Sequence, residues 1–122
     1  MKKFARKFIL MFGVMLVLFA CNRSREKLDK PDNIIPKDKL VSVLVDIHKV
    51  DGLLVSKVVD VQEYSKAALY HSVFNKYDVD EDSFNNTIRY YTVNDIESLN
   101  EVYDEVLAVL NEEQAVLTQK LK

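Results

Sequence analysis

Cys21, the single cysteine of the chain, is the residue best placed to undergo chemistry. It follows a basic stretch, Lys2–Lys7, then an apolar run, Phe8–Phe19, and then Ala20, the small residue that a signal peptidase requires. The apolar run is too short to cross a bilayer, because that takes about 20 apolar residues. An unpaired cysteine in an exported chain needs an explanation, and lipidation of its thiol provides one. The sequence therefore predicts a lipoprotein signal peptide over residues 1–20. The alternative is a soluble secreted protein that keeps Cys21 as a free thiol.

Residues 21–35 are predicted to form a lipid-anchored tether. Nearly all side chains before Ile34 are polar or charged, which is typical of a solvated linker. A single acyl chain binds membranes only marginally, whereas a lipidated cysteine of this kind resembles those that carry a diacylglyceryl group and an N-acyl chain. We therefore expect a membrane to be one partner, bound through the lipid on Cys21.

An acidic triplet has the spacing of cation ligands. Asp78, Asp80 and Asp82 correspond to positions 1, 3 and 5 of an EF-hand calcium loop. The pattern then fails, because Ser83 stands where that loop needs glycine and Arg89 where it needs glutamate. The simpler interpretation is that the acids begin a helix, where negative charge is favourable.

The chain's two histidines have no second histidine or cysteine at ligand spacing. His48 lies near Asp46 and Asp51, and an acid/base pair or a metal site there is an alternative to a solvated polar helix face, which the pattern favours. No serine lies in a glycine-flanked elbow, and no glycine-rich loop is available to bind phosphate. The sequence therefore predicts a protein that is not an enzyme and that uses no cofactor or metal.

Tyrosine is a second candidate for function, because its ring and polar tip suit protein interfaces. Four of the six tyrosines fall on apolar helix faces, whereas Tyr64 and Tyr90 do not. We predict that Tyr64 and Tyr90 are surface contacts for a partner.

The amino-acid composition limits the partners and the secondary structure that the chain can have. The chain has 17 Lys plus Arg against 19 Asp plus Glu, and the predicted signal peptide removes four bases, leaving a net charge of −6. This charge disfavours nucleic acid as a partner. The chain has only two glycines and two prolines, a scarcity that favours long helices over sheets.

Apolar residues at helical spacing predict four helices. They cover about 36–59, about 62–77, a third helix that begins at Asp80–Asp82, and about 95–120. Pro36 suits the first turn of the first helix, and Asn94 suits the N-cap of the last. The predicted fold is an all-α bundle of about four helices, forming one domain over residues 36–122.

The last predicted helix carries a heptad seam, meaning apolar residues three and four positions apart. Its members are Ile96, Leu99, Tyr103, Val106, Leu110 and Leu117. A homodimer through residues 96–117 is one interpretation, but three to four heptads are the minimum for a coiled coil. Packing within the chain's own bundle is therefore favoured.

Five segments carry a family resemblance: Ile35–Leu40, Leu44–His48, Tyr70–Tyr77, Phe84–Tyr91 and Val102–Val106. Over about residues 35–113 the chain resembles an uncharacterised lipoprotein family of Bacteroidota, defined by a domain of unknown function. The resemblance implies a small helical envelope lipoprotein and carries over no catalytic residue.

The residues after Cys21 bear on location. Surface-exposed lipoproteins of such bacteria resemble one another in an acidic cluster at this place, whereas Asn22–Glu26 is mainly basic. We therefore expect an outer-membrane anchor with the domain facing the periplasm.

Two functions remain. The first is a helical protein-binding accessory subunit of an envelope assembly, which predicts an exposed apolar patch beside Tyr64 or Tyr90. The alternative is a periplasmic chaperone-like or small-ligand-binding module, which predicts a concave apolar cleft.

Overall fold

A computed structural model describes residues 26–57 and 65–122, together with residues 1, 3–5, 7 and 9. Cys21, most of the predicted signal peptide and Tyr64 lie outside the described residues. Within the described part the chain forms four main helices and no strand, so the all-α prediction is confirmed. The helices are α1 (Lys37–Val55), α2 (Lys66–Lys76), α3 (Glu81–Asn94) and α4 (Ile96–Lys120).

The helix ends follow local chemistry. Pro36 directly precedes α1, and its carbonyl accepts the first helical hydrogen bond from the Leu40 amide at 2.8 Å. The first helix ends at Val55, before the predicted residue 59. Lys57 has a φ of 56°, and this left-handed backbone conformation does not continue a right-handed helix.

The N-cap predicted for the last helix was wrong by one residue. The carboxylate of Asp95 accepts a hydrogen bond from the Ser98 amide at 3.1 Å and another from the Ser98 hydroxyl at 2.6 Å. Asn94 is the last residue of α3, and its side chain instead bonds both the amide and the carbonyl of Leu28. Both residue types suit an N-cap, and the tertiary contact with Leu28 separates their roles.

The turn between α2 and α3 is a Schellman motif. Asp78 has a φ of 50°, and its amide bonds the Asn75 carbonyl at 3.2 Å. The Val79 amide bonds the Phe74 carbonyl at 3.0 Å, and the Val79 side chain is buried. Asp80 then caps α3 by accepting from the Ser83 amide at 2.7 Å, as expected for an acid at a helix start.

The first helix lies at the centre of the bundle and contacts both α2 and α4, while α3 contacts α4. Lys37 pairs with Glu101 at 3.2 Å, and Lys49 pairs with Glu113 at 2.6 Å. From the first ion pair to the second, the sequence advances by 12 residues along both α1 and α4, so the two helices run parallel. The long crossover through α2 and α3 makes this parallel pairing possible.

The core lies between these helices. Its fully buried large side chains are Leu40, Val43, Thr87, Val102 and Val106.

The predicted heptad seam is only partly internal. Leu99 and Val106 are buried in the bundle, whereas Ile96, Tyr103 and Leu117 are 51%, 37% and 60% exposed.

The second half of the predicted tether contacts the helices. The side-chain amide of Asn33 donates a hydrogen bond to the Ser83 hydroxyl at 2.7 Å, and the backbone amide of Ile35 donates one to the Thr87 hydroxyl at 2.9 Å. The Ile35 side chain is buried in the core. Residues 28–35 therefore lie on the bundle, tied to α3 by hydrogen bonds.

Candidate functional site

A cleft of about 540 Å³ lies between α1, α2 and α3. Its floor is apolar and includes Ile47, Phe74 and Phe84. The two phenylalanine rings lie 5.2 Å apart at an angle of 47°. They meet because the Schellman turn at Asp78 folds α3 back against the end of α2. We call this feature the α1–α3 cleft.

Polar side chains surround that floor. Lys66 and His71 come from α2, and Glu81 comes from the first turn of α3. The rim therefore carries positive and negative groups within one opening, whereas the floor is apolar. Such a surface suits an apolar group that is flanked by polar atoms of either charge.

Tyr70 forms one wall of the cleft, and its position is set by hydrogen bonding. Its hydroxyl donates to the carboxylate of Asp51 on α1. This hydrogen bond, helped by partial burial, raises the pKa of Tyr70 above its ordinary value of 10.0. The Lys66 ammonium lies 5.4 Å from the centre of the Tyr70 ring, which is cation–π distance. The wall is therefore neutral at physiological pH and fixed to α1.

Beside the cleft, a charge network joins three helices. Asp46 accepts from Lys76 at 2.6 Å and from the Tyr77 hydroxyl at 2.9 Å, and it lies 3.6 Å from Lys49, which also binds Glu113. Burial acts to raise the pKa of Asp46, but the hydrogen bonds from Lys76 and Tyr77 and the nearby cations outweigh it and lower that pKa. A carboxylate held so firmly ionised is a clamp between helices and a poor proton acceptor at neutral pH.

The histidine–aspartate pair considered from the sequence does not form. His48 packs against the ring of Tyr103, with 6.3 Å between ring centres, while Asp46 and Asp51 bond to other partners. The described residues contain no group of three His, Cys, Asp or Glu side chains that could hold a metal ion. Among them, too, every buried side-chain nitrogen or oxygen has a hydrogen-bond partner.

Of the two predicted contact tyrosines, only Tyr90 lies in the described part of the chain. It is half-buried, and its ring packs edge-on against Tyr91 at 5.6 Å. It is not among the residues that line the α1–α3 cleft. Sequence reasoning missed the cleft, because Phe74 and Phe84 fall on apolar helix faces and give no separate signal.

The family described as "Domain of unknown function (DUF4296)" matches residues 31–116. The chain belongs to this family. The DUF4296 match covers α1, α2 and α3 and most of α4, and it begins within the segment that lies on α3. Neither a curated protein nor a solved structure matches the chain.

Among the described residues of this DUF4296 chain, none of the helices combines the length and apolar character needed to span a bilayer.

Proposed function

We propose that this chain is an outer-membrane lipoprotein, lipidated at Cys21 and facing the periplasm, whose helical domain binds a protein partner in an envelope assembly. The lipid anchor follows from the sequence around Cys21, where a basic stretch, an apolar run and Ala20 precede the only cysteine. The mainly basic residues after Cys21 favour the periplasmic face.

The α1–α3 cleft is the observation that carries the binding proposal. Its apolar floor would take an apolar side chain from the partner, and its rim would bond the polar atoms beside that side chain. Because Lys66 and Glu81 give the rim both charges, it suits a peptide segment better than a polyanion. Anchoring on the same membrane raises the local concentration of both proteins, so modest contacts in the cleft suffice.

Two neighbouring alanines of α2 provide a matched test. Ala67 lines the cleft, whereas Ala68 is exposed on the same helix and is not among the lining residues. A photo-crosslinking amino acid at each position, in cells, should capture a partner from position 67 and not from position 68. Ala67→Trp should fill the cleft and abolish association with that partner, and Ala68→Trp should leave it unchanged.

The same experiment examines the remaining parts of the proposal. Tyr64→Ala and Tyr90→Ala test whether the two tyrosines extend the contact, and Cys21→Ala should move the protein from the membrane fraction to the soluble fraction. One stoichiometric envelope protein captured at position 67 supports the accessory-subunit function. Equal capture at positions 67 and 68 would refute the role of the cleft.

The cleft also favours a second candidate, the chaperone-like or small-ligand-binding module. Its volume of about 540 Å³ falls in the range of small-molecule sites, roughly 300–1,000 Å³. Capture of a diffuse set of unrelated exported proteins from position 67 would favour the chaperone-like function. A small apolar molecule that co-purifies with the wild type and not with Ala67→Trp would favour ligand binding.

A further inference from the structure

Residues 28–35, which we call the strap, tie the chain that precedes α1 to α3. The side chain of Asn94 bonds Leu28 twice: its oxygen accepts from the Leu28 amide at 2.8 Å, and its nitrogen donates to the Leu28 carbonyl at 2.5 Å. The bonds of Asn33 and Ile35 to α3 hold the rest of the strap. Attachment to the bundle therefore begins at Leu28, whereas the sequence predicted a tether that continues to residue 35.

The strap is attached at one end of the bundle. Asn94 is the last residue of α3, and α4 begins two residues later at Ile96. The first helix begins at the same end, because the Lys37 ammonium donates to the Ser98 hydroxyl at 2.9 Å. We call this end, formed by Leu28, Asn94 and the first residues of α1 and α4, the near pole. Because α4 has 25 residues, it extends about 37 Å away from the near pole.

Chain length limits how far the near pole can stand from a lipid on Cys21. Leu28 is seven residues beyond Cys21. An extended chain spans at most about 3.6 Å per residue, so the two residues lie within about 25 Å of each other. A tether that continued to residue 35 would allow about 50 Å. The strap therefore halves the reach and makes it shorter than α4.

We propose that the near pole is the surface of the domain that faces the lipid headgroups, with α4 pointing away from the bilayer. The inference rests on lipidation of Cys21, which belongs to the proposed function. The short tether keeps the near pole beside the membrane, and charge then disfavours a domain that lies flat on it.

The charges differ between the near pole and the length of α4. Exposed side chains of both signs lie at the near pole, among them Lys27, Lys30, Asp95 and Glu97. The α4 helix carries six acids and one base, and only two of these acids pair with lysines of α1. Laying α4 along anionic headgroups would therefore bring like charges together, which is unfavourable.

This orientation also limits where a partner can bind. Ile47, on the floor of the α1–α3 cleft, is ten residues beyond Lys37, which is about 15 Å along α1. Along the bundle axis the cleft then lies at most about 40 Å from the lipidated residue. A partner has to present its binding segment within that distance of the membrane.

Two labels on α4 measure the orientation. Glu97→Cys and Gln119→Cys replace exposed residues that are 22 positions, or about 33 Å, apart along the helix. Because lipidation uses the thiol of Cys21, each variant keeps one free thiol for a fluorescent donor. The lipoprotein is placed in vesicles of phosphatidylethanolamine and phosphatidylglycerol that carry an acceptor dye on their headgroups. We expect energy transfer to be several-fold stronger from position 97 than from position 119.

Asn94→Ala tests the strap, with Asn86→Ala, an exposed asparagine of the same helix, as its control. Without the Asn94 bonds the strap is held only from Asn33 onward, so the reach grows to about 43 Å. Energy transfer from position 97 should fall in Asn94→Ala only. Hydrogen exchange at the Leu28 amide should be slow in wild type and in Asn86→Ala, and fast in Asn94→Ala.

Lengthening the tether tests the same idea without touching the folded domain. Ten Gly and Ser residues inserted after Arg25 raise the reach to about 60 Å, so energy transfer from position 97 should fall. Unchanged transfer after this insertion would overturn the proposal, and so would equal transfer from positions 97 and 119. Fast exchange of the Leu28 amide in wild type would overturn the strap.

Failure of the anchor is read separately. A purified protein whose mass shows no lipid would refute the anchor of the proposed function, and the orientation with it. A lipidated protein with equal transfer from the two labels would refute the orientation alone.

Discussion

Replacing Thr87 with valine should detach the segment before α1 from α3. Thr87 is fully buried, and its hydroxyl accepts a hydrogen bond from the Ile35 backbone amide at 2.9 Å. The same hydroxyl donates to the Ser83 carbonyl, one turn earlier in α3, at 2.7 Å. Valine has nearly the shape of threonine, so Thr87→Val removes both hydrogen bonds while keeping the packing.

The size of the expected stability loss in Thr87→Val follows from the burial of the Ile35 amide. Ile35 is only 4% exposed, so its amide has no water to replace the lost acceptor. A buried donor without a partner costs about 1–3 kcal/mol, whereas the Ser83 carbonyl keeps an intrahelical bond and loses little. We therefore expect Thr87→Val to lower the free energy of unfolding by about 2 kcal/mol. For a domain of this size, that corresponds to a fall of about 8–16 °C in Tm.

Thr92 is a matched control on the same helix. Its hydroxyl also donates to the carbonyl one turn earlier, that of Ile88 at 2.7 Å, but Thr92 is exposed. Thr92→Val should therefore change stability by no more than about 0.5 kcal/mol. Urea unfolding followed by circular dichroism gives both free energies. Hydrogen exchange at the Ile35 amide gives the local effect, which should be faster exchange in Thr87→Val only.

Two results would refute this reasoning. A stability loss in Thr87→Val equal to that in Thr92→Val means that the buried hydrogen bond contributes nothing. Unchanged protection of the Ile35 amide means that apolar packing of Ile35, and not the hydroxyl of Thr87, holds the segment on α3.

Two further predictions concern the core and its charge network. Asp46→Asn should lower stability by about 1–2 kcal/mol at about pH 7, because Asp46 loses its ion pairs and its charged hydrogen bond from Tyr77. The folded-state pKa of Asp46 lies below its ordinary value of 3.8, so this stabilisation is present above that pH and is lost as the pH falls through the folded-state pKa. The difference between wild type and Asp46→Asn in urea unfolding should shrink at about pH 3, and a constant difference would contradict the assignment. Val106→Ala should cost about 2 kcal/mol, because the side chain is fully buried on α4. Val109→Ala, on the same helix but 36% exposed, should cost less than about 1 kcal/mol, and equal losses in the two variants would mean that this part of α4 is not in the core.

Local chemistry made much of the fold predictable. Apolar spacing along Lys37–Val55 and Ile96–Lys120 repeats every three or four residues, and such a period depends on neighbours within one helix. The start of α3 was predictable for the same reason, because Asp80 caps a helix by bonding an amide three residues later. The last N-cap shows the limit of local reasoning. Asn94 and Asp95 both suit that role, and a contact with Leu28, 66 residues away, decides between them.

The candidate site was not predictable in this way. Phe74 and Phe84 fall on apolar faces of separate helices, and only the packing of α1, α2 and α3 leaves their rings at the floor of a cleft. The exposed apolar face of α4 was not predictable either. Its residues overlap the heptad seam in sequence, and burial alone separates Leu99 and Val106 from Ile96 and Leu117.

The sequence by itself therefore determined the helices and the family, since both are set by patterns along the chain. The signal at Cys21 is likewise readable from neighbouring residues, and its lipidation stays a prediction. Tertiary structure alone decided the parallel pairing of α1 with α4, the bond from Ile35 to Thr87 and the cleft. The physical reason is distance along the chain. The periodicity of a helix reflects interactions between residues close in sequence, whereas these features depend on which apolar faces of distant segments pack together. No pattern within one segment specifies that packing.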